Sequence, residues 1–367
     1  MSGFREGEKA APFLSVVMPC YNVAAFLEEA LESVLAQDGC PPFEVVLVED
    51  ASPDGATAPL CRALAAARAG VRCCEHAENK GLSAARNTGL SAARGEYVLF
   101  MDADDRLDPG LFGALWESVQ EHAPGMVVFG AKEDYYTEAG ELSYSRDVTA
   151  APCVCSSPED IAREALALEK GTLLGYAWNK LYRRTFLLEH GLSFPDVGLV
   201  EDILFNVEAV RHAGVLVVLE GPYYRYARRL GAQKSLTARY LPHYFEQNSL
   251  RVEAMCDLCR ESGIYDAEAR GVLGAIYARY ALSALWRNRD PRAGLSRKER
   301  AEWLDAFFEF PLSRELVLAA RPEGAFAKAS AFLFRHRAKR LLLAEAAVVD
   351  FANRHVSSLF TRARQSR

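Results

Sequence analysis

Val98-Leu99-Phe100-Met101-Asp102-Ala103-Asp104-Asp105 runs from an apolar strand straight into closely spaced carboxylates. In open α/β sheets ligands collect outside the carboxyl ends of the strands, and Mg²⁺ or Mn²⁺ is held by one or two carboxylates plus substrate phosphate oxygens. The stretch therefore reads as a sheet edge where a divalent cation and a diphosphate meet. A plainer reading is a capped turn, because Asp104, Asp105 and Asp108 stand just before Pro109 and a helical run at 110–122. Capping does not account for Asp102.

On either side, short β-rich runs alternate with amphipathic helical patterns. Strands are expected at 14–18, 43–48, 71–75, 97–101 and 126–130, and helices at 24–37, 58–69, 82–93 and 109–122. Such βαβ alternation implies a largely parallel sheet, which gathers the loops 19–22, 49–55 and 102–105 on one face. Between 135 and 158 the periodicity fades and the chain reads as a connection. Helices are expected again at 158–168 and 200–213, and strands at 215–219 and 223–226, with an aromatic-rich run at 176–182. Beyond 235 the pattern is helical. The expected organisation is a polar tail at 1–12, an α/β domain at 13–234 and a helical unit at 235–367.

Composition narrows the function classes. The chain has 367 residues, 50% hydrophobic and 25% charged, with a net charge of −6, which gives no reason to expect nucleic acid as a partner. The amino terminus carries Arg5, Glu6, Glu8 and Lys9 without an apolar core, and no run is long and uncharged enough to span a bilayer. Nine cysteines, an odd number without an export signal, point to a reducing compartment, so a cytoplasmic protein is expected. Cys153-Val154-Cys155 and Cys256-Asp257-Leu258-Cys259 lack the further ligands that zinc needs.

Neither a Gly-x-Gly-x-x-Gly fingerprint nor a Gly-x-x-x-x-Gly-Lys-Ser/Thr loop is present, so carboxylates rather than backbone amides would serve a bound nucleotide, through a metal. Four segments in order, each beside an expected strand, carry a resemblance: Val16-Val17-Met18-Pro19-Cys20-Tyr21-Asn22, Val48-Glu49-Asp50-Ala51-Ser52-Pro53-Asp54-Gly55, Asn79-Lys80-Gly81-Leu82-Ser83-Ala84-Ala85-Arg86-Asn87, and the cluster at 102–105. Together with Trp178-Asn179-Lys180-Leu181-Tyr182 and Glu201-Asp202, they make the chain similar to the inverting family 2 glycosyltransferases of GT-A fold over roughly 230 residues. Three positions depart from the family's pattern. Glu49-Asp50-Ala51-Ser52 replaces the more common Asp-Asp-Gly-Ser, and Ala56 stands where threonine is usual.

The resemblance implies a role for each matched residue. Pro19 and Tyr21 would wall the nucleobase, Asp50 would accept a hydrogen bond from the uracil imide, and Arg86 would serve the nucleotide side. Asp102 would hold the ribose hydroxyls and Asp104 would ligate Mn²⁺ or Mg²⁺. Physical chemistry permits these roles, since an aromatic face suits a flat base and an ionised carboxylate only accepts. Local sequence alone also fits a core aromatic at Tyr21, a turn residue at Asp50 and a solvated helix residue at Arg86. For the base that takes the acceptor's proton, Asp202 ranks first and Glu201 second. An acidic pair opening a helix is equally explained by capping and the helix dipole. Arg225, Arg228, Arg229 and Lys234-Ser235-Leu236-Thr237 loosely resemble the family's segment that closes over the diphosphate; their alternative is a solvated basic loop.

The function expected is transfer of a sugar from a nucleotide-diphosphate donor, a UDP-sugar, to a hydroxyl of a saccharide or lipid-linked glycan. A noncatalytic GT-A-like module that binds a nucleotide sugar or a partner is the alternative, since fold does not fix function. A nucleotidyltransferase is disfavoured by the missing Gly-rich loop. In the carboxy-terminal segment Arg335, Arg337, Lys339, Arg340, Arg354, Arg362, Arg364 and Arg367 face only Glu345 and Asp350, with Phe332, Phe334 and Leu341–Leu343 interleaved. That pattern suits peripheral contact with the cytoplasmic face of a membrane, or a helix pair packed on its own domain.

Overall fold

The computed structural model describes residues 11–137, 139–229 and 241–355, in a chain that divides into two compact units, Met1–Gln233 and Lys234–Arg367. In the first unit the strands β1 (Leu14–Cys20), β2 (Phe43–Glu49), β3 (Val71–Glu75) and β4 (Tyr97–Phe100) pair in parallel in the order β3-β2-β1-β4. Every residue of β1 and β4 is buried, which is why these strands read as largely apolar runs: helices cover both faces of a parallel sheet. Helices α1 (Leu27–Leu35), α2 (Thr57–Ala67), α3 (Leu82–Ala92) and α4 (Leu111–His122) alternate with them. In α1, Leu27, Ala30, Leu31 and Val34 form the buried stripe that helical spacing requires.

Past β4 the sheet becomes mixed. β9 (Lys180–Arg183) runs antiparallel between β4 and β6 (Met126–Tyr136), and β6 pairs in parallel with β10 (Leu216–Arg229). The short β5 (Arg106–Leu107) closes the edge against β10. Helices α5 (Pro158–Lys170), α6 (Arg184–Glu189) and α7 (Glu201–His212) complete the unit. Ser157 caps α5 by accepting from the Asp160 amide at 3.1 Å, with Pro158 in the first turn.

Two expectations are corrected here. The stretch 135–158 is not a plain connection, because it holds β7 (Leu142–Val148) on β6 and β8 (Cys153–Cys155) on β10. β7 is an edge strand exposed along most of its length, so it has no apolar face to create alternation. The two strands expected at 215–219 and 223–226 are one long strand, broken in register around Pro222 beside Gly221 at φ +112°. Glycine and proline punctuated the pattern without ending the strand.

In the second unit α8 (Tyr244–Glu261), α9 (Ala267–Arg287), α10 (Arg297–Glu309), α11 (Pro311–Ala319), α12 (Ala325–Arg335) and α13 (Lys339–His355) form an all-helical body. α9 packs on α8, α11, α12 and α13, around buried Leu273, Tyr277, Phe307, Leu316 and Phe334. A Cβ at Gly274 would stand 2.3 Å from the Leu316 carbonyl oxygen, so α9 and α11 approach closely because glycine is there. Among the described residues no helix is long and apolar enough to cross a membrane. Lys234-Ser235-Leu236-Thr237, Arg362, Arg364, Arg367 and most of the polar tail lie outside the described residues.

Candidate active site

The carboxyl ends of β1, β2 and β4 bring the first motifs together, as register dictates: Cys20 lies opposite Glu49, and Val17 opposite Phe100. Pro19 is buried within β1, while Tyr21, just beyond it, is 45% exposed and offers its ring to solvent. The loops on this edge are tied by short-range bonds. Glu49 accepts from the amides of Ala51 (3.1 Å) and Ser52 (2.7 Å), and the Ser52 hydroxyl accepts from the Asn22 amide. Ala51 sits at φ +53°, a left-handed conformation that favours glycine, which gives a physical reason for the family's usual residue at this position. Beside Ala56, the Thr57 hydroxyl accepts from the Val23 and Ala24 amides and donates to Asp54 at 2.6 Å.

Asp50 is 3% exposed and heavily engaged. Its carboxylate accepts from the Lys80 amide (2.9 Å), the Gly81 amide (2.9 Å) and His76 Nδ1 (2.6 Å), with His76 Nε2 in turn on the Thr88 hydroxyl at 2.9 Å. Sequence reasoning missed His76. Its only local signal is its place just after β3, on the same sheet edge as the other motifs. Two oxygens offer about four acceptor sites, so three donors leave room for a base N–H.

Arg86 is the centre of the site. Only 2% exposed, it projects from α3 with Nη1 on Asp202 Oδ1 and Nη2 on Asp102 Oδ1 at 3.2 Å, and its guanidinium lies 5.2 Å from the Phe194 ring centroid. Burial pulls the guanidinium pKa down, but the Asp202 and Asp102 charges outweigh that and leave it raised. The rest of α3 pins the chain that leads to Asp202. Ser83 donates to the Pro195 carbonyl at 2.9 Å, and Asn87 exchanges two bonds with the Phe194 backbone at 2.8 and 2.9 Å.

The second oxygen of Asp202 accepts from the Ala177 amide at 3.0 Å. That amide is itself held by the Trp178–Tyr182 motif. Lys180, fully buried, donates to the Leu173 carbonyl (2.7 Å) and Asn179 Oδ1 (2.6 Å), and Asn179 donates to Leu173 and Phe129 carbonyls at 3.1 Å. Asn206 donates to the Leu174 and Tyr176 carbonyls while accepting from the Tyr182 hydroxyl. The motif is thus a polar brace that fixes the loop facing Asp202.

Glu201 begins α7 beside Asp202 but makes a different environment. Its Oε2 is buried without a hydrogen-bond partner among the described residues. Burial first, and then the Asp202 charge, push its pKa up to about 7. Asp102 is also raised, by burial against the pull of Arg86, with Asp104 and Asp202 adding to the rise.

The remaining acids of the cluster part company. Asp104 is the open one, its side chain 43% exposed, with Oδ2 on Arg229 Nη1 at 3.0 Å. Asp105 is buried, accepting from the Tyr224 hydroxyl and the Ala227 amide at 2.8 Å, so it locks β10 to the loop rather than facing a ligand. Among the described residues no group of three or more His, Cys, Asp or Glu side chains is disposed to hold a metal ion. A magnesium-type ion needs only one or two carboxylates alongside substrate phosphates; Asp104, partly exposed and paired with Arg229, is the acid of this cluster that could be offered to one. The arginines of β10 are paired within the unit: Arg225 with Asp134 and Asp108, Arg228 with Glu133, Arg229 with Asp104 and over the Phe26 ring at 4.0 Å.

The chain belongs to glycosyl transferase family 2. The family's model matches residues 15–190. Glycosyltransferase GlyG of Streptococcus pneumoniae is 30% identical over 226 residues, which is 60% of this chain and 72% of GlyG. Uncharacterized glycosyltransferase EpsJ of Bacillus subtilis is 32% identical over 216 residues; the match takes in 59% of this chain and 61% of the length of EpsJ. Among solved structures, S. aureus TarS 1–349 in complex with UDP-GlcNAc aligns with a TM-score of 0.60 at 21% identity, over 93% of this chain and 91% of that one. The fold is accordingly GT-A, with a helical carboxy-terminal unit.

Proposed function

We propose that the chain transfers a sugar, with inversion, from a UDP-sugar to a hydroxyl of a saccharide or lipid-linked glycan. The observation that carries this reading is the Arg86 bridge, which joins a donor-side acid, Asp102, to a candidate base, Asp202, in one buried ion-pair system. Tyr21 offers an exposed ring for the base, and Asp50 keeps acceptor capacity for an imide N–H.

Asp202 is the preferred base: its orientation is fixed by Arg86 and the Ala177 amide, and it removes the proton of the attacking hydroxyl. Glu201 is the second candidate. Asp104 would hold Mn²⁺ or Mg²⁺ with the diphosphate, and the ion would supply charge stabilisation to the departing nucleotide. Around it the chain's own residues orient and hold: Asp102 toward the ribose, Arg86 between the two acids, and Arg229 beside Asp104.

A lipid-linked acceptor would bring the protein to the cytoplasmic face of a membrane. Exposed Phe326, Phe332, Leu341 and Val348, among Lys328, Lys339 and Arg340, support that localisation. The deciding experiment is a screen of nucleotide sugars for Mn²⁺-dependent release of nucleoside diphosphate, followed by the anomeric configuration of the product. Binding of nucleotide sugar with no release from any donor, even with acceptor mixtures, favours the noncatalytic alternative.

A further inference from the structure

The helical unit holds a basic pocket that no part of the transfer reaction uses. Its volume is about 240 Å³, and Ala320, Arg321, Pro322, Lys328, Ala331 and Arg335 line it. The positions follow from the fold. Lys328, Ala331 and Arg335 fall at i, i+3 and i+7 on α12 and so share one face, while Arg321 and Pro322 come from the link between α11 and α12.

That link is seated on α9. The Arg321 amide donates to the Gly271 carbonyl at 2.9 Å, and a Cβ at Gly271 would stand 2.8 Å from Arg321 Cγ. Arg335 reaches across to donate from Nη2 to the Ala320 carbonyl.

Three basic side chains line this pocket, and among the described residues no ion pair joins Arg321, Lys328 or Arg335 to a carboxylate. Among the described residues Arg335 Nε is buried with no hydrogen-bond partner. A buried donor left unmade is costly, and a lining with three basic side chains suits an anion with several acceptor oxygens. Guanidinium groups match tetrahedral phosphate by paired N–H donors, and a lysine adds a point charge. The volume, the room of about eight waters, accommodates a phosphate with part of its ester. Phe332, four residues beyond Lys328 on α12 and 57% exposed, supplies an apolar rim.

We propose that this pocket binds the phosphate of a phosphate ester, carried either by a membrane phospholipid headgroup or by a soluble phosphorylated molecule. The site stands whether or not the sheet domain transfers a sugar, since every lining residue belongs to the helical unit.

The test uses the full chain with two probes: vesicles of phosphatidylcholine containing 30% phosphatidylglycerol (roughly the anionic content that recruits basic segments), and sn-glycerol 3-phosphate in solution. Arg321→Ala/Lys328→Ala removes two pocket charges and leaves the Arg335 bond to Ala320 intact; both side chains are exposed, so the fold persists. Arg297→Ala/Lys298→Ala removes the same charge from exposed positions on α10. We expect the pocket variant to lose roughly thirtyfold in affinity and the α10 variant to stay within about twofold. Loss with both probes supports recognition of the phosphate itself, loss on vesicles alone supports the headgroup, and loss in solution alone supports a soluble ester. Failure of the wild-type chain to bind either probe, or equal weakening by the two variants, overturns the proposal.

Discussion

Arg86 and Asp202 form a buried ion pair although 116 positions separate them in sequence. Arg86 also reaches Asp102, so a single guanidinium sets the spacing between the acid at the end of β4 and the acid at the start of α7. A lysine has one charged nitrogen and cannot span both carboxylates in this fork geometry. Arg86→Lys is expected to fold but to lose about 10²-fold in turnover through misplacement of Asp202. Arg86→Ala strands two carboxylates and is expected to cost about 3–5 kcal/mol in urea unfolding. Wild-type turnover in Arg86→Lys would remove the bridge from the mechanism.

Asp104 and Asp202 should separate binding from chemistry. Asp202→Asn preserves size and keeps one acceptor for Ala177, so nucleotide-sugar affinity should hold while turnover drops by about 10² or more. Asp104→Asn should instead abolish the Mn²⁺ dependence of donor binding, measured by calorimetry with and without the ion. If both variants lose turnover while keeping metal-dependent binding, Asp104 is not the ligand.

The legible parts of this protein were those where one side of the chemistry is local. The buried parallel strands announce themselves as apolar runs, and the acids of 102–105 as an interruption of one. What the sequence concealed is partnership. Nothing near Arg86 marks it as buried, because its stabilising charges arrive from β4 and α7. Lysine is mostly an exposed residue type, yet Lys180 is buried, its ammonium donating to the Leu173 carbonyl. His76 lies outside every motif, and its contact with Asp50 depends on the register of β3 against β2. β7 was illegible for the opposite reason, since an exposed edge strand has no apolar periodicity to display.

Glu201 sets a pH signature for stability. Its pKa rises from 4.5 to about 7 on folding, so between those values the native state holds a proton that the unfolded chain has released. Stability from this group is therefore greatest below pH about 4.5 and falls as pH climbs through about 7, after which it is level. Asp102, also raised, acts in the same direction. Glu201→Gln keeps the neutral shape and removes the titration. Relative to wild type, the variant should gain stability from pH 5 to about pH 7 in urea melts and hold that gain to pH 8, and a constant difference across pH 5–7 would refute the assignment.

Gly89 connects the packing of α3 to the site it carries. A Cβ there would lie 2.1 Å from Val17 Cγ1, so the helix rests on β1 at a separation only glycine allows. Gly89→Ala must push α3 off the sheet or distort Val17, at a cost of about 1–3 kcal/mol. Because Ser83, Arg86 and Asn87 ride on the same helix and hold the segment before Asp202, turnover should fall along with stability. Val17→Ala opens the space the new methyl needs. The double variant should then be less destabilised than the sum of its parts, with a coupling of about 0.5–3 kcal/mol, and should recover turnover. Additive energies with turnover still depressed would mean that the contact between α3 and β1 does not position the Arg86 bridge.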